Sequence, residues 1–302
     1  MAPRTGRGKR LPGRRSGQRS FFQARRLASF VSHAGARLND RLRNWFPLKD
    51  LKLILVASTE RAMFSGFIFD VEGTLVDSVT QNLKSQQEAL ERFGHQVPYS
   101  TLQLYSGLDG DQTLQLVLPE AEEPERKKIL KAKGDIYEAK YLDEVRPFDG
   151  VRDVFRALVE RGGKIALATD CKGPELKRYL SLLQVDEFIS VTACGDDVEH
   201  GKPDPRLVGL AVRKLGLPAS QSVMIGDTPY DAEAALGAGA AAAGVLTGGF
   251  APEALMESGC FAVAEELRVL LLALESDGPG ETSKKRTGAQ ASPLHWRSAQ
   301  RS

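Results

Sequence analysis

From Pro147 to Leu274 the chain switches between two hydrophobic periods in a fixed order, and no other feature limits its possible folds so sharply. Helical spacing over Val151 to Arg161 passes through Gly162-Gly163 into a short apolar run, Lys164 to Thr169, that reads as a buried strand. The cycle then repeats. Helix Pro174 to Leu183 leads to strand Phe188 to Cys194, helix Pro205 to Leu215 to strand Ser222 to Asp227, and helix Tyr230 to Ala238 to strand Ala241 to Leu246. A short strand at Cys260 to Val263 and a helix from Ala264 to Leu274 close the series. Strands separated by whole helices pair in parallel, and the helices cover both faces of the sheet. The expectation is an α/β fold, a doubly wound parallel sheet of the Rossmann-like kind.

The first strand lies upstream, in Ser65 to Ser78, SGFIFDVEGTLVDS. Phe67, Ile68 and Phe69 form its buried run, Asp70 ends it, and Gly73 lets the backbone turn at once. Open parallel sheets place ligands outside the carboxyl ends of their strands, so Asp70 is a candidate for chemistry. Glu72 leaves the same loop, and one carboxylate could attack while the other moves a proton. A strand ending in a polar turn accounts for D-x-E-G-T equally well on its own. Asp77 and Ser78 read as caps of the next helix.

Between the first strand and Pro147 the pattern is helical. Asn82 to Phe93 ends at Gly94, Leu114 to Leu118 starts a second apolar face, and Glu125 to Tyr141 is a third, charged helix. A helical block inserted after the first strand reads as a small cap domain. The expected organisation is therefore a core of residues 63–79 and 146–275, a helical cap over 80–145, a head over 1–62 and a Gly/Ser/Lys-rich disordered tail over 276–302.

Charge separates the head from the rest. Residues 1–62 hold 15 Lys/Arg against three acids, a net of +12, which leaves 26 against 36, or −10, for residues 63–302. An acidic body argues against a nucleic-acid partner, yet an acid-lined site holding a divalent cation would accept a phosphorylated substrate. The first 19 residues have a disordered composition, and Phe21 to Phe46 could form a basic amphipathic helix. Three readings of the head stand open: a transit-type targeting segment, a membrane-surface helix, or a stretch upstream of an ordinary start at Met63. It supplies no motif and no strand signal; Leu51 to Ser58 is apolar but far too short for a membrane span. Cys171, Cys194 and Cys260 show no paired spacing and no His/Cys cluster, which suits a reducing, cytoplasmic setting and argues against both disulfides and zinc. Oligomeric state is not legible.

Within the body, strand after strand ends on a residue able to handle phosphate. Thr169 offers a hydroxyl beside Asp170; Lys202, in HGKPDP, sits in a turn stiffened by Pro203; Asp227 ends VMIGD, and Asp231 follows one helical turn later. Carboxylates so placed opposite Asp70 suit Mg²⁺, which takes a few acid ligands and completes its shell with phosphate oxygens and water. Gly107 to Gln112, in the helical block, could face a substrate, whereas Thr247 to Phe250 reads as a turn near the site.

These motifs in this order resemble the haloacid dehalogenase superfamily, in its phosphoglycolate phosphatase-like branch with a helical cap, over roughly Met63 to Leu274. The resemblance implies that Asp70 is a nucleophile forming an aspartyl-phosphate and Glu72 the general acid and base. It further implies that Thr169 binds the phosphoryl group, that Lys202 neutralises it, and that Asp227 and Asp231 hold Mg²⁺ with Asp70 and the main-chain carbonyl of Glu72. Glu72 departs from the pattern, since most phosphatases of the family carry Asp there. The implied activity is hydrolysis of a small phosphorylated metabolite, with a phosphomutase, or a catalytically weak binding or regulatory protein, as alternatives.

Overall fold

The computed structural model describes residues 53–55 and 64–275. In chain order these form β1 (Leu53–Leu55), β2 (Gly66–Phe69), β3 (Val76–Asp77), α1 (Val79–Arg92), α2 (Tyr99–Leu104), α3 (Gly110–Val117) and α4 (Glu123–Ile136). There follow β4 (Arg146–Pro147), α5 (Val151–Glu160), β5 (Lys164–Ala168), α6 (Gly173–Leu183), β6 (Ile189–Ala193), α7 (Arg206–Leu215) and β7 (Ser222–Gly226). The remainder is α8 (Pro229–Gly237), β8 (Ala241–Val245), α9 (Pro252–Glu257), β9 (Ala262–Ala264) and α10 (Leu267–Glu275). The main sheet has the order β1-β9-β8-β7-β2-β5-β6, parallel throughout except for the β1–β9 pair. The doubly wound α/β sheet expected from the periodicity is the fold observed.

Alternation along each central strand explains why both faces are covered. In β2, Phe67 and Phe69 enter one apolar cluster with Phe155, Leu158 and Tyr179, while Ile68 enters the other with Leu207, Val208 and Met224. The same split divides Ile165 and Leu167 of β5 from Ala166 and Ala168. Helix α5 buries Val151, Val154, Phe155 and Leu158, a single stripe of 3.6-residue period, against the first face. Phe155, 0% exposed, lies with its ring 4.8 Å from that of Phe69, and burial of one such ring is worth about 1.5–3 kcal/mol. Helix α7 serves the second face and stops at Gly216, whose φ of 66° belongs to the left-handed region.

One expectation for the head is corrected. Residues 1–62 were read as lacking a strand, yet Leu53–Leu55 adds to the sheet edge, antiparallel to β9. The apolar run there is too short for a membrane but long enough to complete the main-chain bonds of an edge. The amphipathic helix expected over Phe21 to Phe46 and the tail over 276–302 lie outside the described residues. No helix among the described residues is long and apolar enough to cross a membrane.

The helices α1 to α4 gather around an apolar cluster of their own, made of Leu83, Ala89, Leu90, Leu102, Leu114, Ile129 and Ile136. Helix α2 was not expected, because its six residues bury only Leu102. Helix α4 continues through a π-helical turn at Tyr137–Tyr141. Both passages between these helices and the sheet meet in a small ladder, Val76 opposite Pro147 and Asp77 opposite Arg146. Ser78 occupies the N-cap position of α1, but its side chain makes no cap hydrogen bond, contrary to expectation.

Candidate active site

Strand order brings the predicted residues together. β7, β2 and β5 are neighbours in register, so Asp227, Asp70 and Thr169, each the residue after its strand, stand side by side at the carboxyl edge. All three are buried, as are Lys202 and Asp231. Lys202 arrives from the connection between β6 and α7. Its Nζ lies 2.8 Å from Asp70 Oδ1, 2.7 Å from Asp231 Oδ1 and 3.6 Å from Asp170 Oδ2.

The two oxygens of Asp231 are spent within the protein. Oδ1 meets Lys202, and Oδ2 accepts from Thr228 N at 3.0 Å and Thr228 Oγ1 at 2.7 Å; the first of these, with Asp231 N donating to Thr228 Oγ1 at 3.3 Å, closes a capping box at the start of α8. Asp227 differs. Its Oδ1 accepts from Thr74 Oγ1 at 2.6 Å, while Oδ2 is buried with no hydrogen-bond partner. Two glycines leave room for that oxygen: a Cβ at Gly73 would lie 2.4 Å from Asp227 Oδ2, and one at Gly248 1.9 Å from it. Gly73 also has a φ of +81°, which a side chain would strain. Thr247 Oγ1 donates to the Gly73 carbonyl, so the stretch read as a turn near the site braces the loop that follows Asp70.

Charge in this pocket is unbalanced. Four carboxylates, Asp70, Asp170, Asp227 and Asp231, surround one ammonium. Burial pushes the Asp70 carboxyl well above the usual range, against the opposing pull of Lys202. Burial, with Asp231 nearby, pushes Asp227 up to about 8, and burial raises Asp170 to about 6. Although burial works against its charge, Lys202 is held well above its ordinary pKa by Asp231, Asp70 and Asp170. A cation would let these acids ionise, and one ligand oxygen from each of Asp70, Asp227 and Asp231 can be chosen so that all lie within 4.8 Å of one another. The unpartnered Oδ2 of Asp227 and the hard-oxygen donor set fit a metal ion here.

Glu72 stands apart from this cluster. Its Oε1 accepts from Asn82 Nδ2 at 2.6 Å and from Tyr179 OH at 3.0 Å. Tyr179 also meets Glu175 Oε1 at 3.1 Å and Tyr137 OH at 2.6 Å. Burial, then the charge of Glu72, pushes Glu175 up to about 7. Sequence reasoning missed Asn82, Tyr179 and Glu175, since each sits in an amphipathic helix without a motif; Tyr179 falls on the apolar stripe of α6 and reads as core.

The helical segment reaches over the same edge. Tyr230 OH donates to Leu104 O at 3.1 Å, a Cβ on Gly107 would lie 2.5 Å from Thr228 Cγ2, and one on Gly201 would lie 3.2 Å from Asp109 Cβ. The Asp109 carboxylate caps α3 by accepting from Asp111 N at 3.0 Å and Gln112 N at 3.2 Å. His95 pairs with Glu125 at 2.9 Å, within the helical segment.

An acid cluster and a buried lysine at the carboxyl edge of an α/β sheet make a site able to hold a cation beside an anionic group. Residues 67–245 match the family described as haloacid dehalogenase-like hydrolase, and the chain belongs to that family. Among curated proteins it is similar to a pyrophosphatase PpaX of Listeria monocytogenes, 27% identical, with 63% of this chain and 87% of that protein covered. It is also similar to a phosphoglycolate phosphatase of Caulobacter vibrioides, 29% identical over 57% of this chain and 74% of that one. Among solved structures, a hydrolase from Pseudomonas syringae superposes with a TM-score of 0.65 at 28% identity, covering 69% of this chain and 96% of that one.

Proposed function

We propose that the chain is a Mg²⁺-dependent phosphatase that removes a phosphoryl group from a small metabolite through a covalent intermediate on Asp70. The observation that carries this is the pairing, in one buried pocket, of a strand-end carboxylate held 2.8 Å from Lys202 with a second carboxylate, Asp227, whose Oδ2 has no protein partner. Pyrophosphate and phosphoglycolate, named for the relatives, both place a phosphoryl group on a small leaving group, and a buried cluster of Asp70, Thr169, Lys202 and Asp227 suits the phosphoryl end of such substrates. The segment 80–145 acts as a cap that shelters the reaction from water.

In this reading Asp70 attacks phosphorus, and Lys202 offsets the repulsion between a carboxylate and a phosphate dianion. Thr169, buried at the end of β5, offers its hydroxyl to the transferring group. Glu72 protonates the departing oxygen and then takes a proton from the water that releases phosphate from Asp70. Asp70, Asp227 and the main-chain carbonyl of Glu72 would hold the metal, which supplies charge neutralisation at the phosphoryl oxygens. Asp231, with both oxygens engaged, contributes chiefly by fixing Lys202.

Asp70→Asn tests the reading. The amide keeps the shape and loses the attacking anion, so kcat should fall by roughly a thousandfold or more with the fold retained. Near-native turnover of phosphomonoesters by this variant, measured as released phosphate, would remove Asp70 from the role.

A further inference from the structure

We propose that Tyr179 and Asn82 are positioning residues that fix the carboxyl of Glu72, the group read above as acid and base. A glutamate carboxyl turns about three side-chain bonds, so without anchors it would sample many places and seldom the productive one. Two donors converge here on a single oxygen. Asn82 Nδ2 reaches Oε1 from the first turn of α1, and Tyr179 OH reaches it from α6, while Oε2 has no partner among the described residues. One oxygen is thereby tethered, and the other stays available for proton transfer.

The hydroxyl of Tyr179 is itself oriented. A phenol carries one proton and accepts through its lone pairs. When Tyr179 donates to an ionised Glu72, its oxygen can accept from Tyr137 OH, 2.6 Å away. The chain of donors Tyr137 to Tyr179 to Glu72 then runs one way, and neither tyrosine is free to turn, since Tyr179 is 0% and Tyr137 4% exposed. Glu175 Oε1, one helical turn before Tyr179, lies 3.1 Å from the same hydroxyl; ionised, it competes with Glu72 for the one phenolic proton, and protonated, it donates to the tyrosine oxygen and leaves that proton to Glu72. Tyr137 and Asn82 both belong to the helical segment, close to where it joins the core, whereas Tyr179 belongs to the core. Glu72 is thus held from both sides of that junction.

The test uses the full chain with Mg²⁺ and two substrates, an activated aryl phosphate whose leaving group needs no proton and glycerol phosphate, whose alkoxide does. Tyr179→Phe keeps the ring and deletes the hydroxyl. It should lower kcat on glycerol phosphate by about tenfold to a hundredfold and leave KM within about twofold, and the phosphorylation burst with the aryl phosphate should persist. In a Glu72→Gln background the same change should cost no more than about twofold, because a positioning residue has no effect once its target is disabled. Asn82→Ala, at the half-buried start of α1, should show the same pattern and keeps the test valid if Tyr179→Phe unfolds the protein. Equal losses in the native and Glu72→Gln backgrounds, or native kcat on glycerol phosphate in both variants, would overturn the proposal while leaving Glu72 in its role. Native kcat in Glu72→Gln alone would overturn that role and the proposal together.

Discussion

At the scale of single residues, burial of the acid cluster ties its protonation to stability. Burial holds Asp227 up to about 8. A carboxyl whose folded pKa is raised binds its proton more tightly when folded, so the stability tied to it is present below the unfolded value near 4 and is lost as pH climbs toward 8. The metal-free protein should therefore melt at progressively lower temperature between about pH 5 and 8, and Mg²⁺ should restore the loss most at the upper end. Binding should release protons, seen by calorimetry in buffers of different ionisation enthalpy. Asp227→Asn, isosteric and uncharged, should melt higher than native without metal and gain nothing from Mg²⁺. A pH-independent melting temperature in metal-free native protein would contradict this account. Asp70, Thr169 and Asp227 were legible as candidates because each directly follows an apolar strand run, and Lys202 and Asp231 because each stands in a short local motif, HGKPDP and GDTPYD. The partners of Glu72 were not, because Tyr179 meets it from 107 positions away and carries the signature of a core residue.

At the scale of elements, the connections carry as much of the site as the strands do. The turn over 246–248 places Gly248 against Asp227, where a methyl group would lie 1.9 Å from Oδ2. Gly248→Ala must push away either the carboxylate or the turn. The fold should survive, since the turn lies outside the strands, while the melting shift produced by Mg²⁺ should fall by more than half. An unchanged shift would show that the turn yields without disturbing Asp227. Element types followed from period, but their edges moved: the strand expected at Cys260 to Val263 is Ala262–Ala264, because Cys260 instead closes the α9 end through its N–H to Leu255 O. Helix α2 escaped notice because one buried leucine makes no stripe.

At the scale of the whole molecule, β1 changes the expectation for the basic head. A chain beginning at Met63 lacks the strand that covers β9, so main-chain groups along that edge pass to water. Its melting temperature should drop by a few degrees, whereas kcat should be unchanged, because β1 lies at the far edge and β9, β8 and β7 stand between it and β2. Full stability in the shortened chain would show that the edge needs no cover.

The small ladder of β3 and β4 has a consequence for descent. The helical insertion leaves the core at Val76–Asp77 and re-enters it at Arg146–Pro147, and those two stretches are paired with each other. Helices between them can be lengthened, shortened or exchanged without moving any strand of the main sheet, because the insertion opens and closes at one place. Asp70, Thr169 and Asp227, set at the ends of main-sheet strands, lie outside that opening, and so does Lys202 on the connection after β6, so a change between Asp77 and Arg146 leaves their backbone supports in place.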